Sequence, residues 1–125
     1  MEKRKILFID DNEALLKWIK LALERTGKYE VAVEQSGKSG LSTARSFKPE
    51  MVFIDITMPD IEGSAVAREM VSDPLFSKVP IIFLTGAISQ AEAEHTGGKI
   101  GGQYFLAKPV ELRQLISCIE KHLGS

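Results

Sequence analysis

Apolar residues along the chain follow two rhythms. Five short stretches are strand-length and either continuously apolar or alternating: Ile6 to Ile9, Tyr29 to Val33, Met51 to Asp55, Val79 to Leu84 and Gln103 to Ala107. A continuous apolar run bounded by turn residues reads as a strand covered on both faces, as in parallel sheets. Between these runs the repeat becomes helical. Asn12 to Thr26 places Leu15, Ile19, Ala22 and Leu23 on one face, with Asp or Asn as N-cap and Gly27 at the exit. Ser36 to Lys48 turns Leu41, Ala44 and Phe47 inward and stops at Pro49, and Ser64 to Val71 carries Val66, Ala67 and Met70 to a stop at Asp73-Pro74. Glu111 to Leu123 aligns Leu112, Leu115, Ile116, Ile119 and Leu123. Ser89 to His95 is also helix-like, but Gly97-Gly98 and Gly101-Gly102 follow. Each such glycine costs a helix about 1 kcal/mol relative to alanine, so residues 95 to 102 are expected to be mobile before activation.

Strands alternating with helices predict an α/β fold: a five-stranded parallel sheet with helices on both faces, joined by right-handed crossovers. At 125 residues, 44% of them hydrophobic, the chain suits one domain with its own core, and residues 1 to 125 are read as a single domain.

Charge narrows the possible partners. A formal net charge of -1, with lysines and arginines dispersed, leaves no footprint for direct nucleic-acid binding. Cys118 is the only cysteine, so no internal disulfide can form, and its helical setting suggests a small buried hydrophobe. The first apolar run is too short for a signal peptide or a membrane span. A cytoplasmic protein without membrane association is expected.

The chemistry gathers at the carboxyl ends of the strands, where ligands of such sheets bind. The first strand runs into Asp10-Asp11, the third ends in Asp55, the fourth leads to Thr85-Gly86-Ala87, and the fifth to Lys108-Pro109. Clustered acids repel and call for a cation, and hard oxygen ligands suit Mg²⁺ or Mn²⁺. An ammonium and a hydroxyl are groups suited to surrounding phosphoryl oxygens. Singly, Asp10 or Asp11 could cap the first helix, Thr85 could be a loop hydroxyl and Lys108 a solvated charge; together they describe an aspartate that accepts a phosphoryl group beside a divalent metal. Trp18, His95 and His122 are given no chemistry. The stretch from Gly97 to Gly102 is not a phosphate loop, since it lacks the Gly-Lys-Ser/Thr ending.

Over nearly its whole length the sequence resembles the receiver domains of two-component response regulators, including chemotaxis regulators. The resemblance rests on Asp10-Asp11, on Asp55 with Met58-Pro59-Asp60 and Gly63 downstream, on Thr85 and on Lys108-Pro109. It implies a flavodoxin-like (βα)5 receiver fold with Asp55 as the phosphoacceptor. Asp10, Asp11, Asp55 and the backbone carbonyl of Thr57 would hold Mg²⁺ (or Mn²⁺), and Thr85 and Lys108 would contact the phosphoryl group. The Lys108-Pro109 bond would be cis. Thr85 and Phe105, with Tyr104 beside it, would form the switch, and Thr57 and Ala87 would tune phosphoryl lifetime. The implied partners are a sensor histidine kinase or phosphotransfer protein and an output domain or protein, reached through the face of the fourth helix, fifth strand and last helix, with a phosphorylation-dependent homodimer as one form. The implied activity is autocatalytic phosphoryl acceptance and autodephosphorylation, rather than that of an enzyme acting on a separate substrate.

Three other readings compete with this one. A degenerate receiver acting only as an interaction module would usually lack one of the acids, the threonine or the lysine. A Mg²⁺-dependent aspartyl phosphatase of the haloacid dehalogenase type wants a second Asp where Thr57 stands. A flavodoxin would need a hydroxyl-rich phosphate loop after the first strand.

Overall fold

The computed structural model describes residues 2–87, 99–100 and 103–124. Its central strand is β3 (Met51–Asp55), buried at every position. On one side of it lies β1 (Arg4–Ile9) and then β2 (Tyr29–Glu34) at the edge; on the other lie β4 (Ile81–Thr85), β6 (Gln103–Ala107) and the two-residue β5 (Lys99–Ile100), giving the order β2-β1-β3-β4-β6-β5. The five longer strands are parallel. The sequence reading did not anticipate β5, which adds a short antiparallel edge by pairing Lys99 with Tyr104 and Ile100 with Gln103.

Alternation along the strands splits the core in two. Ile6, Phe8, Met51, Phe53, Ile82 and Leu84 face α1 (Glu13–Arg25) and α4 (Leu112–Leu123). Leu7, Ile9, Val52, Ile54 and Phe83 point the other way, against α2 (Gly37–Phe47) and α3 (Gly63–Val71). Both sheet faces are therefore covered, which is why β1 and β3 read as continuous apolar runs. The helix expected over Ser89 to His95, with the mobility expected for residues 95 to 102, lies outside the described residues apart from β5. Among the described residues, no helix is long and apolar enough to cross a membrane.

Several boundaries differ from expectation for physical reasons. The buried stripe of α1 is Leu16, Ile19 and Leu23; it keeps Ile19 and Leu23 of the expected face but is turned by about 50°, half a residue, so that Leu16 is buried and Leu15 only partly so. Asn12 is the N-cap, its side chain accepting from Leu15 N at 3.1 Å, which frees both aspartates from capping. Phe47 is only partly buried, at the end of α2, where Lys48 takes the left-handed conformation before Pro49. A 3-10 turn at Pro74–Phe76, capped by Asp73, buries Phe76, and β4 begins only after Pro80.

The middle of the outer edge of β2 is covered from within the chain. Val31 N donates to Glu24 Oε2 at 3.1 Å, Lys20 Nζ donates to Val31 O, and Lys20 pairs with Glu24 at 3.2 Å. Two side chains of α1 thus supply the donor and acceptor that a neighbouring strand would provide.

Candidate functional site

The strand order reverses direction at β1, so the crevice between the carboxyl ends of β1 and β3 is the switch point of the sheet. Register brings the acids there. Ile9 pairs with Ile54, so Asp10 and Asp55 leave adjacent strands at the same level. Carboxylate oxygens of Asp10, Asp11 and Asp55 all lie within 4.8 Å of one another. Asp10 is fully buried and Asp55 nearly so, while Asp11 is exposed at the mouth.

The other side of the crevice comes from β4 and β6. Thr85 pairs with Ala107, and Lys108 N donates to Thr85 O at 2.8 Å, which ties the two strand ends together. The Lys108–Pro109 peptide bond is cis. The Lys108 ammonium sits 2.8 Å from Asp10 Oδ2 and 3.7 Å from Asp55 Oδ1. Thr85 is buried, and its Oγ1 accepts from Ala87 N at 3.0 Å, keeping its own proton for a second partner.

Electrostatics here are unbalanced. Asp10 Oδ1 accepts from Asn12 N at 2.9 Å, but Oδ2 makes no hydrogen bond; the close Lys108 ammonium is an ion pair without hydrogen-bond geometry. Burial pushes the Asp55 carboxyl above the ordinary carboxylate range, and the Asp10 charge adds to this. Lys108 and the Thr57 N–H, 3.4 Å from Asp55 Oδ1, oppose the rise. One ammonium does not neutralise three acids. A cluster of three carboxylates, one of whose buried oxygens makes no hydrogen bond and faces only a single ammonium, fits a hard divalent cation, and the donor set suits Mg²⁺.

Behind Asp55, the loop of residues 56–62 is pinned to its surroundings. Ile56 N donates to Leu84 O at 3.1 Å and Gly63 N to Ile56 O at 2.9 Å. A Cβ at Gly63 would run into the Asp55 carbonyl oxygen, so only glycine allows α3 to start this close to β3. Met58 is buried, whereas Thr57 is exposed.

All the side chains read from the sequence as site residues, Asp10, Asp11, Asp55, Thr85 and Lys108, meet at this crevice, and Thr57 lies directly behind Asp55. Phe105 sits farther back on β6, beside Phe83 with ring centroids 5.5 Å apart. By the two-residue alternation of strands it shares a sheet face with Thr85. Tyr104 faces the opposite side, edge-on to His122 at 4.7 Å. Sequence reasoning missed the contacts of Asp60, whose partners are more than twenty residues away.

The response regulator receiver domain family model matches residues 6–120. This chain belongs to that family. The polar-differentiation response regulator DivK of Brucella ovis is 26% identical over 122 residues, 97% of each chain. In fold the chain is similar to chemotaxis protein CheY4 of Vibrio cholerae, with a TM-score of 0.82, 24% identity and coverage of 98% of this chain and 100% of that one. It is also similar to the receiver domain of sensor histidine kinase PA1611 from Pseudomonas aeruginosa, with a TM-score of 0.80, 25% identity and coverage of 99% and 100%; that structure holds a magnesium ion in its active site cleft. The chain is therefore a receiver of two-component signalling and not a classical enzyme, with a histidine kinase as the kind of partner the family implies.

Proposed function

We propose that Asp55 accepts a phosphoryl group from the phosphohistidine of a histidine kinase or phosphotransfer protein, with Mg²⁺ held by Asp10, Asp11, Asp55 and the Thr57 carbonyl. The observation that carries this reading is the convergence of three carboxylates with Lys108 at the switch point of the sheet. A carboxylate oxygen of Asp55 attacks phosphorus, the P–N bond breaks, and its electron pair leaves with the imidazole nitrogen. When bound, the metal neutralises the repulsion between the acids and the incoming phosphoryl oxygens. Lys108, within reach of both Asp10 and Asp55, pairs with one phosphoryl oxygen, and the Thr85 hydroxyl donates to another.

A donor can reach this site. Asn12, Leu15, Trp18, Lys108, Pro109 and Val110 line an open cleft beside the carboxylates, and Trp18 and Leu21 present exposed apolar surface on α1. Movement of Thr85 toward the phosphoryl group changes the packing behind it, where Phe105 lies half-buried on the same sheet face. The signal passes through β6 and the surface next to α4 to an output partner, an output domain or a second copy of the chain. The domain comprises the whole of residues 1 to 125.

The test is phosphorylation by acetyl phosphate in the presence of Mg²⁺, followed by intact mass. The wild-type chain gains one phosphoryl group, and Asp55→Ala gains none. Equal labelling of both removes Asp55 as acceptor; no labelling of the wild type by acetyl phosphate or by any kinase favours a receiver that acts only by binding.

A further inference from the structure

Resting on the metal-site reading above, we propose that Asp60 is a positioning residue: by clamping the loop after Asp55 to the start of α2, it holds the Thr57 carbonyl where the metal needs it. Helix α2 begins with N–H groups that have no partner within the helix. Ser36, the N-cap, accepts from Ser39 N at 3.2 Å through its hydroxyl, and Gly40 N donates to Ser36 O at 2.9 Å. The two donors left between them, Gly37 N and Lys38 N, go to Asp60, to Oδ1 at 3.1 Å and Oδ2 at 3.2 Å. One carboxylate from another part of the chain thus completes the cap, and its negative charge suits the helix N-terminus.

The clamp is reinforced beneath. A Cβ at Gly37 would collide with Ile61 Cγ2 and press on Val66 Cγ2, so the loop is seated directly on the first turn of α2. Thr57 therefore lies between two fixed points. Upstream, Ile56 is bonded to Leu84 and Gly63; downstream, Asp60 is bonded to Gly37 and Lys38. A backbone carbonyl has no rotamer of its own, so its direction is set by how the chain is held on either side. Releasing Asp60 frees one of the two sides. The coupling is reciprocal: if the clamp favours Mg²⁺, then Mg²⁺ must tighten the clamp equally, extending the influence of the site to α2.

The experiment uses the full chain as wild type, Asp60→Ala, Asp60→Asn and Glu24→Gln. In Asp60→Ala, the Gly37 and Lys38 amides exchange hydrogen faster in the metal-free protein, and Mg²⁺ affinity measured by calorimetry falls about tenfold, as for other supports behind metal ligands. Asp60→Asn keeps one acceptor oxygen and falls between wild type and alanine. In the wild type, Mg²⁺ slows exchange of the same two amides. Glu24→Gln, which loosens the contact of α1 with β2, lowers the thermal midpoint but leaves Mg²⁺ affinity unchanged. Faster exchange in Asp60→Ala with unchanged Mg²⁺ affinity overturns the proposal, as does an equal loss of affinity in Glu24→Gln. A wild type that binds no Mg²⁺ overturns the metal-site reading itself, a failure visible before any variant is compared.

Discussion

Phe8 and Phe53 stack face to face across β1 and β3, with ring centroids 4.6 Å apart and planes within 4° of parallel. They are register partners, two positions before Asp10 and Asp55 respectively. The stack lies within the pairing that delivers both acids to one level. A double-mutant cycle with Phe8→Leu and Phe53→Leu is expected to show a coupling of about 0.5–1.5 kcal/mol beyond the separate losses of burial. Urea denaturation measures it. A coupling of zero would mean the rings only fill volume.

Asp55 sets a pH dependence of the metal-free protein. Its carboxyl titrates above its ordinary 3.8, chiefly because it is buried and secondarily because Asp10 is charged. The folded state therefore holds a proton that the unfolded chain releases, and stability falls as pH rises from the ordinary carboxylate range through the raised value. Asp55→Asn removes that fall. Without metal at pH 7 the variant is expected to melt a few degrees above wild type, since Lys108 keeps its 2.8 Å partner Asp10. Mg²⁺ reverses the ranking by stabilising the wild type selectively. Melting curves at several pH values, with and without Mg²⁺, check both outcomes.

Phosphoryl lifetime is expected to be long. Thr57 and Ala87, both exposed at the rim of the site, supply neither a carboxylate nor an amide to orient water against phospho-Asp55. After rapid removal of the phosphodonor, phosphate release should take minutes or longer. Ala87→Glu should shorten it severalfold by supplying an acceptor for that water. Decay of the wild type within seconds contradicts the expectation.

Cys118 is expected to be inert in the folded chain. Burial pushes its thiol up to about 11. At pH 8 only about one molecule in a thousand carries the reactive thiolate. Iodoacetamide should label it at least about a hundredfold more slowly than in urea, where the thiol returns to its ordinary value near 8.5. Mass spectrometry over a time course reads the ratio.

What the sequence revealed and what it hid divide along a physical line. Asp55 was legible because Met51 to Ile54 must be covered on both faces, which forces their continuation to a strand end. Asp10, Thr85 and Lys108 were legible for the same reason, and parallel strands send all such ends one way. The rotation of α1 was hidden, because Leu15 and Leu16 are both apolar and only packing chooses Leu16 for the interior. The preference of Lys108 for Asp10 over Asp55 was hidden as well, since it turns on about an ångström between two buried acids. Asp60 gave no local signal: an aspartate after proline suits any turn, and the α2 donors it meets are set by tertiary folding alone.

The covered middle of the β2 edge bears on how copies of this chain can meet. Signalling by contact requires a surface that opens to one partner on cue, and an open strand edge would recruit any extended peptide regardless of phosphorylation. With Lys20 and Glu24 occupying the outward groups of Val31, that indiscriminate route is blocked at the middle of β2. Recognition through side chains on the helices and loops can instead be made to depend on the state of Asp55.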